Sequence, residues 1–165
     1  MNLSPHFTLR EATFSETADR YGIDNSQVSV DILAAARNTA ANMEIVRTLL
    51  GAPIRISSWI RCPALNERLL SKSTSQHLLG EAVDFTCDQF GTPLQICQHL
   101  LQHQTKVRWH QLILEHSWVH IAWKSAPNSK QAGQVLSLIQ DGGYATGLTN
   151  RRGIAYPYSL STSLA

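Results

Sequence analysis

Apolar residues recur at helical spacing along the first third of the chain, and alternating stretches interleave with helical ones along the rest. Between Ser29 or Asp31 and Gly51, the residues Ile32, Leu33, Ala36, Ala40, Met43, Val46 and Leu50 fall near one stripe. This predicts a long scaffold helix, opened by a capping side chain and stopped by glycine. Ser15 caps a shorter helix to about Tyr21. Pro53 to Ser58 alternates Ile54 and Ile56 with polar residues and reads as a strand, and Pro63 suits the first turn of a helix through Leu70. A Ser/Thr/Lys loop at 71–76 follows, then a strand from Glu81 to Phe85 and a helix opened by Thr92 and Pro93 that runs to about His103. The remainder predicts a hairpin at 111–123, a helix from about Ser129 to Gln140, and a stop at Gly142-Gly143. There is no internal repeat. The order predicts an α+β fold, a single domain with an antiparallel sheet and helices on its other side.

Composition fits one globular domain. The 165 residues are 43% hydrophobic and 16% charged, and no apolar run approaches the roughly 20 residues of a membrane helix. A formal net charge of +2 is too small to argue for nucleic acid, though it mildly favours approach to an anionic wall. Cys62, Cys87 and Cys97 are an odd number without C-x-x-C spacing, so they predict reduced, structural thiols. Met1 to Arg10 is mixed and polar and lacks the pattern of a secretory signal, so synthesis in the cytoplasm is expected.

Two segments carry chemistry. In Ser75-Gln76-His77-Leu78-Leu79-Gly80-Glu81-Ala82-Val83-Asp84, Gly80 permits a sharp turn after His77. Asp84 shares one strand face with Ala82 and looks back toward that imidazole. In Trp118-Val119-His120-Ile121-Ala122-Trp123, Val119, Ile121 and Trp123 form the apolar side, which leaves His120 on the other. A lone strand histidine is more often structural than a ligand, but two imidazoles and a carboxylate together make a three-ligand metal site. Structural zinc is usually closed by four protein ligands, whereas His77, Asp84 and His120 leave the fourth position open, as in catalytic sites. The antiparallel sheet is thus expected to carry the ligands of one Zn2+ per chain.

The first segment resembles, at every fixed position, the S-x-H-x-x-G-x-A-x-D form of the zinc D-Ala-D-Ala metallopeptidases, and Trp118-Val119-His120-Ile121 resembles their second ligand strand. Further pieces are similar to the phage and prophage branch of that family: Phe7-Thr8-Leu9, Ser15-Glu16-Thr17-Ala18, Gly22-Ile23-Asp24-Asn25, Pro53 to Arg61, and Gln111-Leu112-Ile113-Leu114-Glu115. The likeness spans residues 7–148, read as a zinc peptidase domain, and leaves 149–165 as a flexible or docked extension. The resemblance implies hydrolysis of peptide bonds in peptidoglycan stem peptides, by an endolysin-like endopeptidase or a D-Ala-D-Ala carboxypeptidase of phage or prophage origin. It implies action at the bacterial cell wall after holin-type release or virion delivery, by a monomer whose partner is the peptidoglycan peptide. The alternative is a catalytically weak, zinc-stabilised cell-wall-binding or virion module, a use that the related hedgehog signalling domain illustrates for this scaffold.

The hairpin bears on mechanism. If His116-Ser117 is a two-residue turn, Glu115 pairs with Trp118 and Ile113 with His120, so Gln111, Ile113, Glu115, Trp118 and His120 share a face. Glu115 is then a diagonal neighbour of His120, about 7–8 Å away at the backbone, which suits a general base. The plain alternative is a surface glutamate beside a turn. Many relatives place the acid three residues before the second histidine, where this chain has Ser117; His116 is a rival base and Glu81 a weaker one. Arg61 stands at the arginine of the family's S-x-x-R segment, a candidate for gripping a substrate carboxylate or stabilising an oxyanion, against a plain solvated arginine. Ser75 and Gln111 are candidate substrate-binding residues. His6, His99, His103 and His110 have no ligand-like spacing and are expected to face solvent.

Overall fold

Strands Arg55–Ser58 (β1), Ala82–Thr86 (β2), Gln111–Leu114 (β3), Val119–Ala122 (β4), Gln134–Leu138 (β5) and Tyr144–Thr146 (β6) form one sheet in the order β1-β2-β4-β3-β5-β6. The computed structural model describes residues 1–157, so the end of the 149–165 extension lies outside the described residues. Alternation sorts the sheet's faces: Val83, Phe85, Leu112, Leu114, Val119 and Ile121 turn into the core with Met43, Trp59, Ile96 and Leu100. Each large side chain buried this way contributes roughly 1.5–3 kcal/mol. The other face carries Ala82, Asp84, His120 and Ala122, paired as Ala82 with Ala122 and Asp84 with His120.

Helices Leu9–Thr13 (α1), Glu16–Tyr21 (α2), Val30–Leu50 (α3), Pro63–Arg68 (α4) and Pro93–Gln102 (α5) complete the fold. Ser29 caps α3 by accepting from the Ile32 amide, and Gly51 ends it at φ +62°. The buried stripe of α3 is Ala35, Ala36, Thr39, Ala40, Met43, Val46 and Leu50. Its small residues let a neighbouring turn come close: a Cβ on Gly80 would stand 3.0 Å from the Ile32 carbonyl oxygen and 3.6 Å from the Ala36 Cβ. Thr39 joins the stripe because its hydroxyl donates to the Gly80 carbonyl at 3.0 Å. The sequence pattern did not predict α1, which is one short helix closed by a reciprocal capping box between Thr8 and Glu11.

Two expectations need correction. The sheet is mixed, not purely antiparallel, because β5 runs parallel to β3 while the other pairs are antiparallel. The helix expected over 129–140 is instead a connection followed by β5. Ala122 and Gln134 both lie beside Gln111, so the chain leaves β4, passes the end of β3 and returns on its far side, which makes β5 parallel to β3 without a crossover helix. Gly133 at φ +64° makes that entry, and the Gly133 and Gln134 amides bond to the Trp109 and His110 carbonyls. Gly142-Gly143 then forms the turn into β6.

The described part of the C-terminal stretch folds back on the sheet. Leu148 joins the core, the Thr149 amide donates to Ser137 Oγ at 2.9 Å, and Tyr156 packs against the core while its amide bonds to the Leu148 carbonyl. The three cysteines are free thiols, with Cys87 and Cys97 buried. His6 is exposed as expected, but His99, His103 and His110 are half-buried and hydrogen-bonded. His99 Nε2, for example, donates to the Leu49 carbonyl and satisfies one of the orphan acceptors at the end of α3.

Candidate active site

His77 sits in a short 3-10 turn, Gln76–Leu79, that Gly80 closes at φ +70°. Its Nδ1 lies 2.6 Å from the Trp59 carbonyl oxygen. A carbonyl only accepts, so Nδ1 carries the proton and Nε2 presents a lone pair. Burial holds the ring below its ordinary pKa, in the neutral form. Nε2 faces Asp84 Oδ1 at 3.3 Å, and His120 Nδ1 approaches the same oxygen at 2.7 Å. The three candidate ligand atoms all lie within 4.8 Å of one another.

Asp84 is held from behind. Arg61 Nη2 donates to Oδ2 at 2.7 Å, Nε donates to Ser58 Oγ at 2.9 Å, and Nη1 to Ser71 Oγ at 3.4 Å. Burial opposes ionisation of Asp84, but its polar surroundings, the short His120 contact among them, outweigh it and hold the carboxyl well below the usual carboxylate range. Burial likewise lowers the Arg61 pKa, against the opposing pull of Asp84. Arg61 is thus not solvated, and its shortest bond goes to a candidate ligand, the position of a brace.

The donor set fits a borderline cation. Imidazole nitrogens at 2.0–2.1 Å and a carboxylate oxygen at about 2.0–2.2 Å are the usual zinc partners, and a tetrahedron of such bonds sets ligands roughly 3.3 Å apart. The protein itself determines which atoms are offered: the Trp59 carbonyl leaves His77 Nε2, and Arg61 leaves Asp84 Oδ1. Three acceptors converging in a nearly closed site, with one proton between them at most, call for a positive charge.

Glu115 extends one residue beyond β3. Ile113 lies opposite His120, and the Glu115 amide bonds to the Trp118 carbonyl, so the expected hairpin register is the observed one. Glu115 is half-buried, and burial raises its carboxyl above the ordinary value against the opposing influence of His120 and a Tyr144 hydrogen bond. His116 takes φ +64° at the turn and its Nε2 donates to the Leu138 carbonyl at 2.6 Å, which commits the ring to the end of β5. Glu81 is committed too: Oε1 accepts from the Ser125 amide at 2.8 Å and Oε2 from Gln76 at 3.2 Å. Ser75 is half-buried at the start of the 3-10 turn, where its side chain makes no capping bond. Gln111 lies opposite Ala122 and donates to Gln134 Oε1 at 2.7 Å.

Some contributors were not visible as such in the sequence. Trp59 acts through a backbone carbonyl, and Tyr144 follows directly on the expected stop at Gly142-Gly143. Asn25 is buried and clamps the Arg61 segment, donating to the Ile60 and Thr13 carbonyls and accepting from the Cys62 amide. Its place in Gly22-Ile23-Asp24-Asn25, one of the family-like pieces, was the available signal.

No curated protein matches the chain. A family model described as Peptidase M15 matches residues 5–122, which include both imidazoles, Asp84, Arg61 and Glu115. Peptidases of this family are zinc-dependent, and among the described residues His77, Asp84 and His120 form the group able to hold such an ion. The chain belongs to the Peptidase M15 family of zinc-dependent peptidases.

Proposed function

We propose that this peptidase hydrolyses peptide bonds in the stem peptides of peptidoglycan, with His77, Asp84 and His120 as the ligands of one zinc ion and Glu115 as the general base. The observation that carries the reading is the convergence of His77 Nε2, Asp84 Oδ1 and His120 Nδ1 on one face, with Glu115 one diagonal step away across the hairpin. Bound there, zinc supplies Lewis acidity that makes water a better nucleophile and polarises the scissile carbonyl. Glu115 removes the proton from the attacking water and returns it to the leaving amine as the C–N bond breaks. Arg61 holds Asp84 by Oδ2, and its fixed positive charge close behind the ligands is proposed to support, together with zinc, the developing oxyanion. Ser75, two residues before His77, and Gln111, two residues along β3 from the partner of His120, are the proposed substrate contacts.

The likeness to phage and prophage relatives supports a lysis role at the cell wall, with delivery by holin-type release or with the virion. Among the described residues no helix is long and apolar enough to cross a membrane. The test is release of new amines from purified peptidoglycan by the zinc-loaded chain, beside a chelated control and Glu115→Gln. The glutamine keeps the shape and cannot take a proton, so zinc stays bound while hydrolysis falls by about two to four orders of magnitude. A zinc-loaded parent that releases no amine supports the wall-binding or virion module that the displaced acid, Ser117 in place of a carboxylate, leaves as the alternative.

A further inference from the structure

Strand register places a second polar side chain at Glu115. Leu114 lies opposite Ser137, and Leu138 lies opposite Tyr144. Continuing the parallel pairing by one residue sets Glu115, Leu138 and Tyr144 in a row across three strands with their side chains on one face. Two strand spacings put Tyr144 roughly 10 Å from Glu115 at the backbone, a gap that a tyrosine and a glutamate side chain span together. The phenol does span it: Tyr144 Oη donates to Glu115 Oε1 at 3.2 Å. Among the described residues this is the hydrogen bond that the Glu115 carboxylate makes. The platform is itself anchored, since His116 Nε2 holds the Leu138 carbonyl at 2.6 Å and β6 pairs with β5 through Leu138 and Tyr144.

We infer that Tyr144 is a positioning residue for the hydrolysis, holding one oxygen of the Glu115 carboxylate so that the other faces the attacking water on the His120 side. The inference rests on the reading of Glu115 as the base. Both β5 and β6 lie beyond the residues that the family model matches, so this chain's C-terminal part contributes the brace. A tyrosine suits the task. Its ring has few rotamers to freeze, its O–H donates to a carboxylate, and burial together with the Glu115 charge pushes the phenol up to about 12, so it remains a donor across neutral pH.

The experiment is a double-mutant cycle on the zinc-loaded full chain, with Tyr144→Phe, Glu115→Gln and the pair assayed on a soluble stem peptide by amine release. Tyr144→Phe is expected to lower kcat about tenfold, the usual worth of one hydrogen bond to a charged group, with KM, zinc content and melting temperature unchanged. In the Glu115→Gln background the same change is expected to cost less than about twofold, because the carboxylate it serves is gone. A further tenfold loss in that background overturns the inference, since Tyr144 then acts on the substrate independently. So does a raised KM with unchanged kcat. Should the glutamine variant fall below detection, crystal structures decide: a Glu115 carboxylate turned from its parental rotamer in Tyr144→Phe supports positioning, and an unmoved one refutes it. Glu115→Gln at the parental rate sinks the base assignment itself, whereas an inactive Glu115→Gln beside a fully active Tyr144→Phe sinks this inference alone.

Discussion

Replacing Arg61 by methionine separates two jobs a guanidinium can do at this site: holding a metal ligand and touching the substrate. Arg61 and Asp84 are 11% and 10% exposed at the side chain, and their 2.7 Å contact takes up the carboxylate oxygen that faces away from the imidazoles. Removing one partner of such a pair typically costs about 3–5 kcal/mol, because the other charge is left buried without compensation. Asp84 keeps its contacts to His77 and His120, so the lower end, about 3 kcal/mol, is expected for the metal-free protein. For a chain of this size that lowers the melting temperature by roughly 6–12 °C. With Oδ2 released, Asp84 is free to rotate, and zinc affinity is expected to fall about 10- to 100-fold, as when an outer partner of a metal ligand is lost.

The assay pairs thermal unfolding of the chelated protein with zinc competition against a fluorescent chelator, for Arg61→Met, Arg61→Lys and the parent. Lysine keeps the charge but not the planar fork that reaches Asp84, Ser58 and Ser71 together, so it is expected to fall between the other two. An Arg61→Met protein with parental melting temperature and parental zinc affinity, but no hydrolysis, would falsify the brace and assign the arginine to the substrate alone.

Two other outcomes follow from the structure. Burial raises the Glu115 carboxyl, so in the chelated protein its titration, followed by carboxyl-carbon NMR, is expected above the roughly 4.3 of an exposed glutamate; a midpoint at or below that value contradicts the half-buried setting. Gly80→Ala combines a positive-φ penalty of about 1–2 kcal/mol with contacts of 3.0 and 3.2 Å to Ile32. It is expected to cost roughly 2–4 kcal/mol in urea unfolding and to weaken zinc binding, because the turn that carries His77 must move away from α3; an unchanged midpoint counts against that close approach.

The pattern of residues made the metal face legible where local chemistry and register agree. Alternation in β4 put Val119 and Ile121 in the core and so turned His120 outward, and the two-residue turn at His116-Ser117 set the pairing that brings Glu115 beside it. The stop at Gly51 bounded the end of α3, and of the two openings the sequence offered, Ser29 and Asp31, Ser29 is the cap. Legibility failed where periodicity is short. Val135, Leu136, Leu138 and Ile139 around Ser137 read equally as a helical patch or a strand, and the arbitration depends on Gly133 and on a free edge of β3, a tertiary fact. Ser137, 0% exposed, looks misplaced until its hydroxyl is seen donating to the Gly147 carbonyl and accepting from the Thr149 amide. The expectation of solvent-facing histidines failed similarly, since the groups that bond His99 and His110 are backbone atoms distant in sequence.

Two of the three candidate ligands, His77 and Asp84, and the proposed base Glu115 are carried by different parts of the chain. Residues 59–61 and the 77–80 turn are laced together: the Trp59 carbonyl orients His77, the Trp59 indole donates to the Gly80 carbonyl at 2.9 Å, and the Arg61 amide donates to the His77 carbonyl at 3.1 Å. That lacing involves neither Glu115 nor the strands beyond β4, so the turn that carries His77 stays arranged whatever residues occupy the tip of the hairpin. On the proposed reading, an acid at Glu115 instead of at Ser117 leaves the His77 turn undisturbed, provided something else fixes the carboxylate. Tyr144, delivered by β6, meets that requirement, and β5 is needed to carry it there.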